Sequence, residues 1–143
     1  MRAIGNSGFD SQDYFIVMDR LYDTLDKRIE KWSSRSKKLK LGGRLFDRKG
    51  KKKGELYEEQ IVAAYDLADA VKYLHKKDIL YRDLKPENVA FDVRNDIKLF
   101  DFGLSKSLAN LDKNDDGTYN LTGLTGSVRY MAPEVANEKP CKS

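Results

Sequence analysis

Two short strings in the second half of the chain constrain its fold more than any other feature. Residues 81–88 read Tyr-Arg-Asp-Leu-Lys-Pro-Glu-Asn, and Asp101-Phe102-Gly103 begins eighteen residues after Asp83. A third string, Met131-Ala132-Pro133-Glu134, follows at the end of a long polar stretch. The first string places a carboxylate, an ammonium and an amide within six residues, and the second adds another carboxylate. Such oxygen ligands and cations are the groups that bind a metal ion and a phosphate.

In the order D-x-x-x-x-N, D-F-G and A-P-E, the three strings resemble the C-terminal lobe of a eukaryotic protein kinase. Lys85-Pro86-Glu87 is similar to the serine/threonine class. The resemblance runs from residue 14 to residue 134, from the hinge to the A-P-E motif. It implies an α+β fold that is a partial, kinase-like domain: mostly the helical C-terminal lobe, with one strand of the N-terminal lobe and a small β-hairpin. We therefore interpret the chain as a fragment of that domain.

The same resemblance divides the chain. Residues 1–13 are polar and aperiodic, which predicts a loose N-terminus. Residues 14–143 correspond to the partial kinase domain, with residues 101–134 as its activation segment. Within it, the apolar run Tyr14–Met18 is typical of a buried strand.

Helical and strand periods predict the elements between these segments. A short helix follows the N-cap candidate Asp23-Thr24, and residues 55–76 regain a helical period. Val89–Val93 and Ile97–Phe100 flank a turn and predict a hairpin. The apolar positions that share one face are Leu25, Ile29 and Trp32 in the first helix. In the second they are Ile61, Tyr65, Ala68, Val71 and His75, with Leu67 and Leu74 beside them. We expect those apolar faces of the second helix that pack on further helices in the family to be exposed in this chain.

The charge of the chain is unevenly distributed. Residues 27–54 hold 13 Lys and Arg and 2 Asp and Glu, whereas the rest holds 14 basic and 21 acidic residues. Residues 33–54 show no period and contain glycine breaks, which indicates a basic insertion in an exposed loop. A nuclear-localisation or nucleic-acid patch at residues 35–53 is the alternative. Because Phe46 is its only aromatic residue, a solvated insertion is favoured and nucleic acid is not expected as a partner.

Composition narrows the cellular setting. The chain is 40% hydrophobic and 35% charged, and its single cysteine, Cys141, excludes an internal disulfide. No apolar run reaches the length of a membrane span. We expect an intracellular, cytoplasmic protein without membrane attachment, with entry into the nucleus through the basic loop 35–53 as the alternative.

The resemblance implies catalytic roles for three residues and cofactors ATP and Mg²⁺. Asp83 would orient the substrate hydroxyl and accept its proton, and Lys85 would contact the γ-phosphate. Asn88 and Asp101 would supply two oxygen ligands to Mg²⁺. The implied partner is a protein substrate with a serine or threonine hydroxyl. The chain contains no G-x-G-x-x-G or V-A-I-K string, so we expect it to bind ATP weakly by itself.

Family alignment also implies an adenine pocket and a regulatory set. Around ATP, Met18 would be the gate, Leu21 the hinge, Ala90 the floor under the base, and Asp23 would reach the ribose. Arg82 would pair with a phosphate on the activation segment, and Phe102 would pack under Tyr81. The remaining regulatory residues are Ser127, expected to contact Asp83 and Lys85, and Thr122 and Thr125, candidate sites for an upstream activating kinase.

Two functions follow from these motifs. The first is a protein serine/threonine kinase that transfers the γ-phosphate of ATP to a protein hydroxyl. The second is a catalytically inactive, kinase-like module that binds a partner. A calcium loop is disfavoured: Asp112–Gly117 imitates the start of an EF-hand, but its twelfth position is Gly123 rather than glutamate.

Overall fold

The computed structural model describes residues 20–47, 50–109, 111–137 and 141–142. The strand predicted at Tyr14–Met18, including the gate residue Met18, lies outside these residues. In chain order the elements are β1 (Asp23–Thr24), α1 (Leu25–Phe46), α2 (Lys51–His75), β2 (Ile79–Leu80), β3 (Val89–Phe91), β4 (Ile97–Leu99), β5 (Lys106–Ser107), β6 (Thr118–Tyr119), α3 (Pro133–Ala136) and β7 (Cys141–Lys142).

The predicted hairpin is confirmed as β3 and β4, which pair antiparallel with Val89 opposite Leu99. Strand β1 adds to the other edge of β3, which gives the order β1-β3-β4. The turn is closed by Asp92, whose carboxylate accepts backbone hydrogen bonds from Arg94 (2.8 Å) and Asp96 (3.0 Å). The hairpin begins directly after Asn88, and Phe100 alone separates its end from Asp101, so it brings these two residues to one end of the sheet.

The basic segment is helical, so the prediction of an exposed loop at residues 33–54 was wrong. Helix α1 continues to Phe46, and α2 begins at Lys51. The carboxylate of Asp47 accepts hydrogen bonds from the amides of Lys52 (3.1 Å) and Lys53 (2.9 Å), which satisfies free donors at the start of α2. Lysine and leucine are good helix formers, and Leu39, two turns after Trp32, packs against the core and supports the continuation of α1.

The core lies where α1 and α2 meet the sheet. Trp32, Leu56, Ala63 and Phe91 are buried together. The indole of Trp32 donates a hydrogen bond to Glu59 (3.1 Å), so its polar edge is satisfied within the packed cluster. This cluster holds the two helices against β3 and thereby positions the residues that precede β3.

Part of the apolar face of α2 is exposed, as expected for this helix. Ile61 and Tyr65 are 50% and 72% exposed, whereas on the predicted face of α1 Trp32 is buried and Ile29 alone is exposed (44%). The buried positions of α2 are Leu56, Ala63 and Leu74. Helix α2 therefore carries apolar residues on more than one side, and the period alone could not show which side faces α1 and the sheet. None of the described helices is apolar over a length that would cross a bilayer.

Candidate active site

Asp83 is the centre of a hydrogen-bonded cluster on the loop between β2 and β3. Its Oδ2 accepts hydrogen bonds from Lys85 Nζ (2.7 Å) and Asn88 Nδ2 (2.9 Å). Its Oδ1 accepts from the backbone amide (2.9 Å) and the hydroxyl (2.7 Å) of Ser127. Lys85 also donates to the Ser127 hydroxyl at 3.1 Å. The structure thus brings together four residues that the sequence analysis assigned to one site.

The charges of the cluster are fixed by these contacts. The hydrogen bond from Lys85 has the largest effect on the Asp83 carboxyl, and together with the bond from Ser127 it holds the pKa of that carboxyl below its usual value. In turn, the hydrogen bond to the Asp83 carboxylate raises the pKa of Lys85. The contribution of Asp83 to stability is therefore present above about pH 4 and is lost as the pH falls through its lower folded pKa. That of Lys85 is lost only as the pH rises through its raised pKa. At neutral pH the carboxylate and the ammonium are both charged.

Tyr81 links the loop that carries Asp83 to the residues on either side of Asp101. Its ring packs edge-on against Phe102 with ring centroids 5.1 Å apart, so the contact predicted between these residues is present. Its hydroxyl donates a hydrogen bond to the carbonyl of Phe100. Burial, with the nearby charges of Asp101 and Asp83, raises the pKa of the phenol to about 12. The phenol thus stays protonated and ties the residue before Asp101 to the loop that carries Asp83.

Asn88 and Asp101 provide a donor set that fits Mg²⁺. Both hydrogen bonds from Asn88 to Asp83 use the amide nitrogen, so they leave its oxygen available to a cation. The Asp101 carboxylate is exposed and forms no ion pair within the part of the chain that is described; its one hydrogen bond is a long one from Gly103 N (3.4 Å). The backbone joins the two residues, since Phe100 N donates to Asn88 O at 3.2 Å. Mg²⁺ commonly takes few protein ligands and completes its shell with water and phosphate oxygens.

A comparison with known proteins decides the family. The model of the protein kinase domain matches residues 13–143. The chain belongs to the protein kinase family. Its short sheets and long helices are accordingly a partial kinase-like fold, as predicted.

Serine/threonine kinases are among the curated relatives. Ribosomal protein S6 kinase alpha-2 of Homo sapiens is 43% identical over 100 residues, which cover 68% of this chain and 13% of that protein. Protein kinase 2 of Dictyostelium discoideum is 41% identical over 124 residues, covering 86% of this chain and 22% of that protein. Serine/threonine-protein kinase RUNKEL of Arabidopsis thaliana is 48% identical over 82 residues, covering 57% and 6%. The chain thus spans less than a quarter of the length of each of these relatives.

Ser127 and Gly126 hold the predicted activation segment against the Asp83 cluster. Gly126 has φ +111°, and a side-chain Cβ at this position would overlap the carbonyl oxygen of Arg82. Only glycine therefore allows the segment to approach the loop that carries Asp83 closely enough for Ser127 to reach Asp83. The sequence analysis named Ser127 and missed Gly126, although a glycine directly before an anchoring residue is a signal of close backbone approach.

Replacing Gly126 with alanine should detach the residues around Ser127 from the loop that carries Asp83. The new methyl group would meet backbone rather than a movable side chain, and the backbone strain would add on the order of 1–3 kcal/mol. We expect the Ser127 amide, which donates to Asp83, to lose its protection in hydrogen exchange. Gly117→Ala is the matched control, because Gly117 also has a positive φ (+79°) but nothing lies within 4 Å of its Cβ position. Unchanged protection of Ser127 in Gly126→Ala would show that the segment is not held in this way.

Arg82 faces the activation segment from the other side of the cluster. Its Nη1 donates to the Thr122 hydroxyl (2.9 Å) and its Nε to the carbonyl of Leu104 (2.6 Å). The hydroxyl of Thr125 lies next to Thr122 and donates to Thr122 O and Gly123 O, both at 3.2 Å. Of the two candidate phosphosites, Thr122 is the one in direct contact with the guanidinium.

The residues expected around the adenine and ribose do not all line one cavity. Leu21 lines a cavity of 550 Å³ with Leu99 and Phe102, but neither Asp23 nor Ala90 contributes to its lining. Ala90 is fully buried in β3 between Thr24 and Lys98. The Asp23 carboxylate is occupied by Arg28 (3.2 Å) and Lys31 (2.7 Å). The ribose role predicted for Asp23 is thus not supported. Burial by itself would raise the pKa of Asp23, but the hydrogen bonds and charges of Lys31 and Arg28 together lower it and hold the carboxylate at the base of α1.

Proposed function

We propose that this chain carries the catalytic loop of a protein serine/threonine kinase and transfers the γ-phosphate of ATP to a serine or threonine hydroxyl of a protein substrate. The observation that carries the proposal is the Asp83 carboxylate, oriented on both oxygens by Lys85, Asn88 and Ser127. Phosphoryl transfer passes through a loose transition state, so positioned groups and compensating charges account for most of the catalysis.

In this proposal each side chain of the cluster has a separate task. The ionised Asp83 would orient the attacking hydroxyl and take its proton late in the step. Lys85 has three donors, of which Asp83 and Ser127 engage two. The third would reach the phosphate that is being transferred and offset its charge.

The proposed cofactors are ATP and Mg²⁺. Asn88 and Asp101 would hold the metal ion, which, when bound, would neutralise charge on the phosphates. Arg82 would bind a phosphate on Thr122, added by an upstream kinase, through charge-assisted hydrogen bonds. These roles rest on the contacts of Asn88, Asp101 and Arg82 described above and on family membership.

The proposed activity can be tested with three peptides that are identical except for serine, threonine or tyrosine at one position. The chain is incubated with ATP labelled on the γ-phosphate, with Mg²⁺ or with a chelator. We expect Mg²⁺-dependent label on the serine and threonine peptides and none on the tyrosine peptide. Label on tyrosine, or label that persists with chelator, would contradict the proposal.

One observation favours the second candidate, a non-catalytic module that binds a partner. Helix α2 exposes Tyr57, Ile61 and Tyr65 along one side, each by half of its surface or more. Exposed apolar side chains in such a row are typical of a contact surface. The same assay separates the candidates, since a pure binding module would label none of the peptides.

A further inference from the structure

The charges of the basic segment are sorted along the two helices. We call the described ends of the two helices, residues 35–41 and 51–53, the basic hairpin. Arg28 and Lys31, which precede it on α1, share the carboxylate of Asp23, and Arg35 at its base pairs with Glu59 at 2.6 Å. Toward the tip, Lys51 forms a 3.9 Å contact with Glu55. The other lysines are exposed and form no ion pair with any described residue; they are Lys37, Lys38, Lys40, Lys52 and Lys53.

The helical conformation gives these lysines fixed positions. Lys37 and Lys40 lie one turn apart on α1, and helix geometry sets such residues about 5–6 Å from each other. Helix α2 has Lys51, Lys52 and Lys53 in its first turn. A loop would lose conformational freedom on binding, whereas a helix already holds its backbone in place. Because these lysines lie on two helices, we no longer interpret the segment as a solvated loop but as a surface with a fixed backbone.

The chemistry of the surface favours a phosphate polymer as its ligand. Leu41, 95% exposed, is the one large apolar side chain with that exposure on the described part of the tip. Binding of a helix to a membrane surface increases with the apolar area that it buries, and residues 35–41 and 51–53 offer one exposed leucine for it. Lysine is a compact, strongly hydrated charge that binds phosphate without demanding a fixed geometry. Duplex nucleic acid offers one negative charge for about each 1.7 Å of its axis, dense enough to engage lysines on both helices together.

We propose that the basic hairpin binds the phosphate backbone of double-stranded nucleic acid, without reading its sequence. The proposal is independent of the phosphoryl-transfer function, because it uses none of the residues of the Asp83 cluster. It predicts affinity that depends strongly on salt, since each phosphate contact releases condensed counterions.

The test is binding of a fluorescent duplex DNA of mixed sequence to the chain, followed by anisotropy at several salt concentrations between about 50 and 200 mM. The hairpin variant replaces Lys37, Lys38 and Lys40 with glutamine, which preserves helix propensity. The control variant makes the same change at Lys72, Lys76 and Lys77, three exposed lysines at the other end of α2. We expect the hairpin variant to lose tenfold or more in affinity, with a salt slope lower by about 2 to 3. The control should lose much less.

Several results would overturn the proposal. The first is that the chain does not bind the duplex at the lowest salt concentration. The second is that the hairpin variant and the control variant lose the same affinity. The third is that polyglutamate displaces the fluorescent duplex as well as unlabelled DNA does. Tighter binding to anionic vesicles would assign the surface to membranes instead. A second hairpin variant with glutamine at Lys51, Lys52 and Lys53 tests the other helix. If circular dichroism shows lost helix in the first variant, the second decides the result.

Discussion

Replacing Asp83 with asparagine is expected to reduce phosphate transfer to a serine peptide by a hundredfold or more. Asparagine has nearly the same shape, but it cannot accept the proton of the substrate hydroxyl. It also removes the negative charge that binds Lys85 at 2.7 Å, and it replaces one acceptor oxygen by a donor. The measurement is the turnover number at saturating ATP and peptide.

Glu87→Gln is the matched control for this prediction. Glu87 is an exposed carboxylate in the same loop, so its replacement removes the same charge without touching the cluster. We expect its turnover to stay close to that of the unaltered chain. Unchanged turnover in Asp83→Asn would remove Asp83 from the role proposed for it.

The second large effect is expected at Asp101, whose replacement by alanine should abolish magnesium-dependent binding of ATP. Asp101 is the charged member of the proposed metal site, and Asn88 alone would contribute only a neutral oxygen. The measurement is calorimetric titration with ATP, with and without Mg²⁺. Undiminished magnesium-dependent binding in the variant would contradict the proposed site.

Asp101 also occupies an unusual backbone conformation, with φ +59°. Alanine is disfavoured there, so a loss of binding could arise from a local rearrangement as well as from the missing ligand. Asp101→Asn separates the two causes, because asparagine tolerates this region and is neutral. We expect Asp101→Asn to lose most of the binding too, while Asp112→Ala, an exposed carboxylate in another loop, keeps it.

The part of the site that lies within one short string was predictable from the sequence. Asp83, Lys85 and Asn88 lie within six residues, so the local turn that leads into β3 decides their contacts. Ser127 lies 44 residues further along, and its contact with Asp83 followed from the family resemblance rather than from the residues themselves. Gly126 was missed because its role depends on the space beside the Arg82 carbonyl, and its position directly before Ser127 was the one signal of a close approach.

The fold was harder to predict where several weak preferences compete. The tip of α1 and the start of α2 have no apolar period, and there helix propensity and the capping carboxylate of Asp47 decided the structure. The period of α2 predicted a helix but not which side is buried, since that depends on where Trp32 and Phe91 pack. For Asp23, the family resemblance predicted a contact with the ribose, whereas in the structure its carboxylate pairs with Arg28 and Lys31.

The most direct test of the central claim is where a paramagnetic metal ion binds in the presence of ATP. Mn²⁺ prefers the same kind of oxygen ligands as Mg²⁺ and broadens the NMR signals of nearby backbone amides. If the site is as proposed, substoichiometric Mn²⁺ with ATP broadens the amides of Asn88 and Asp101 first and spares the acidic loop at Asp112–Asp116. Broadening that begins at residues 112–116, or that is unchanged by ATP, would contradict a metal–nucleotide site at the Asp83 cluster.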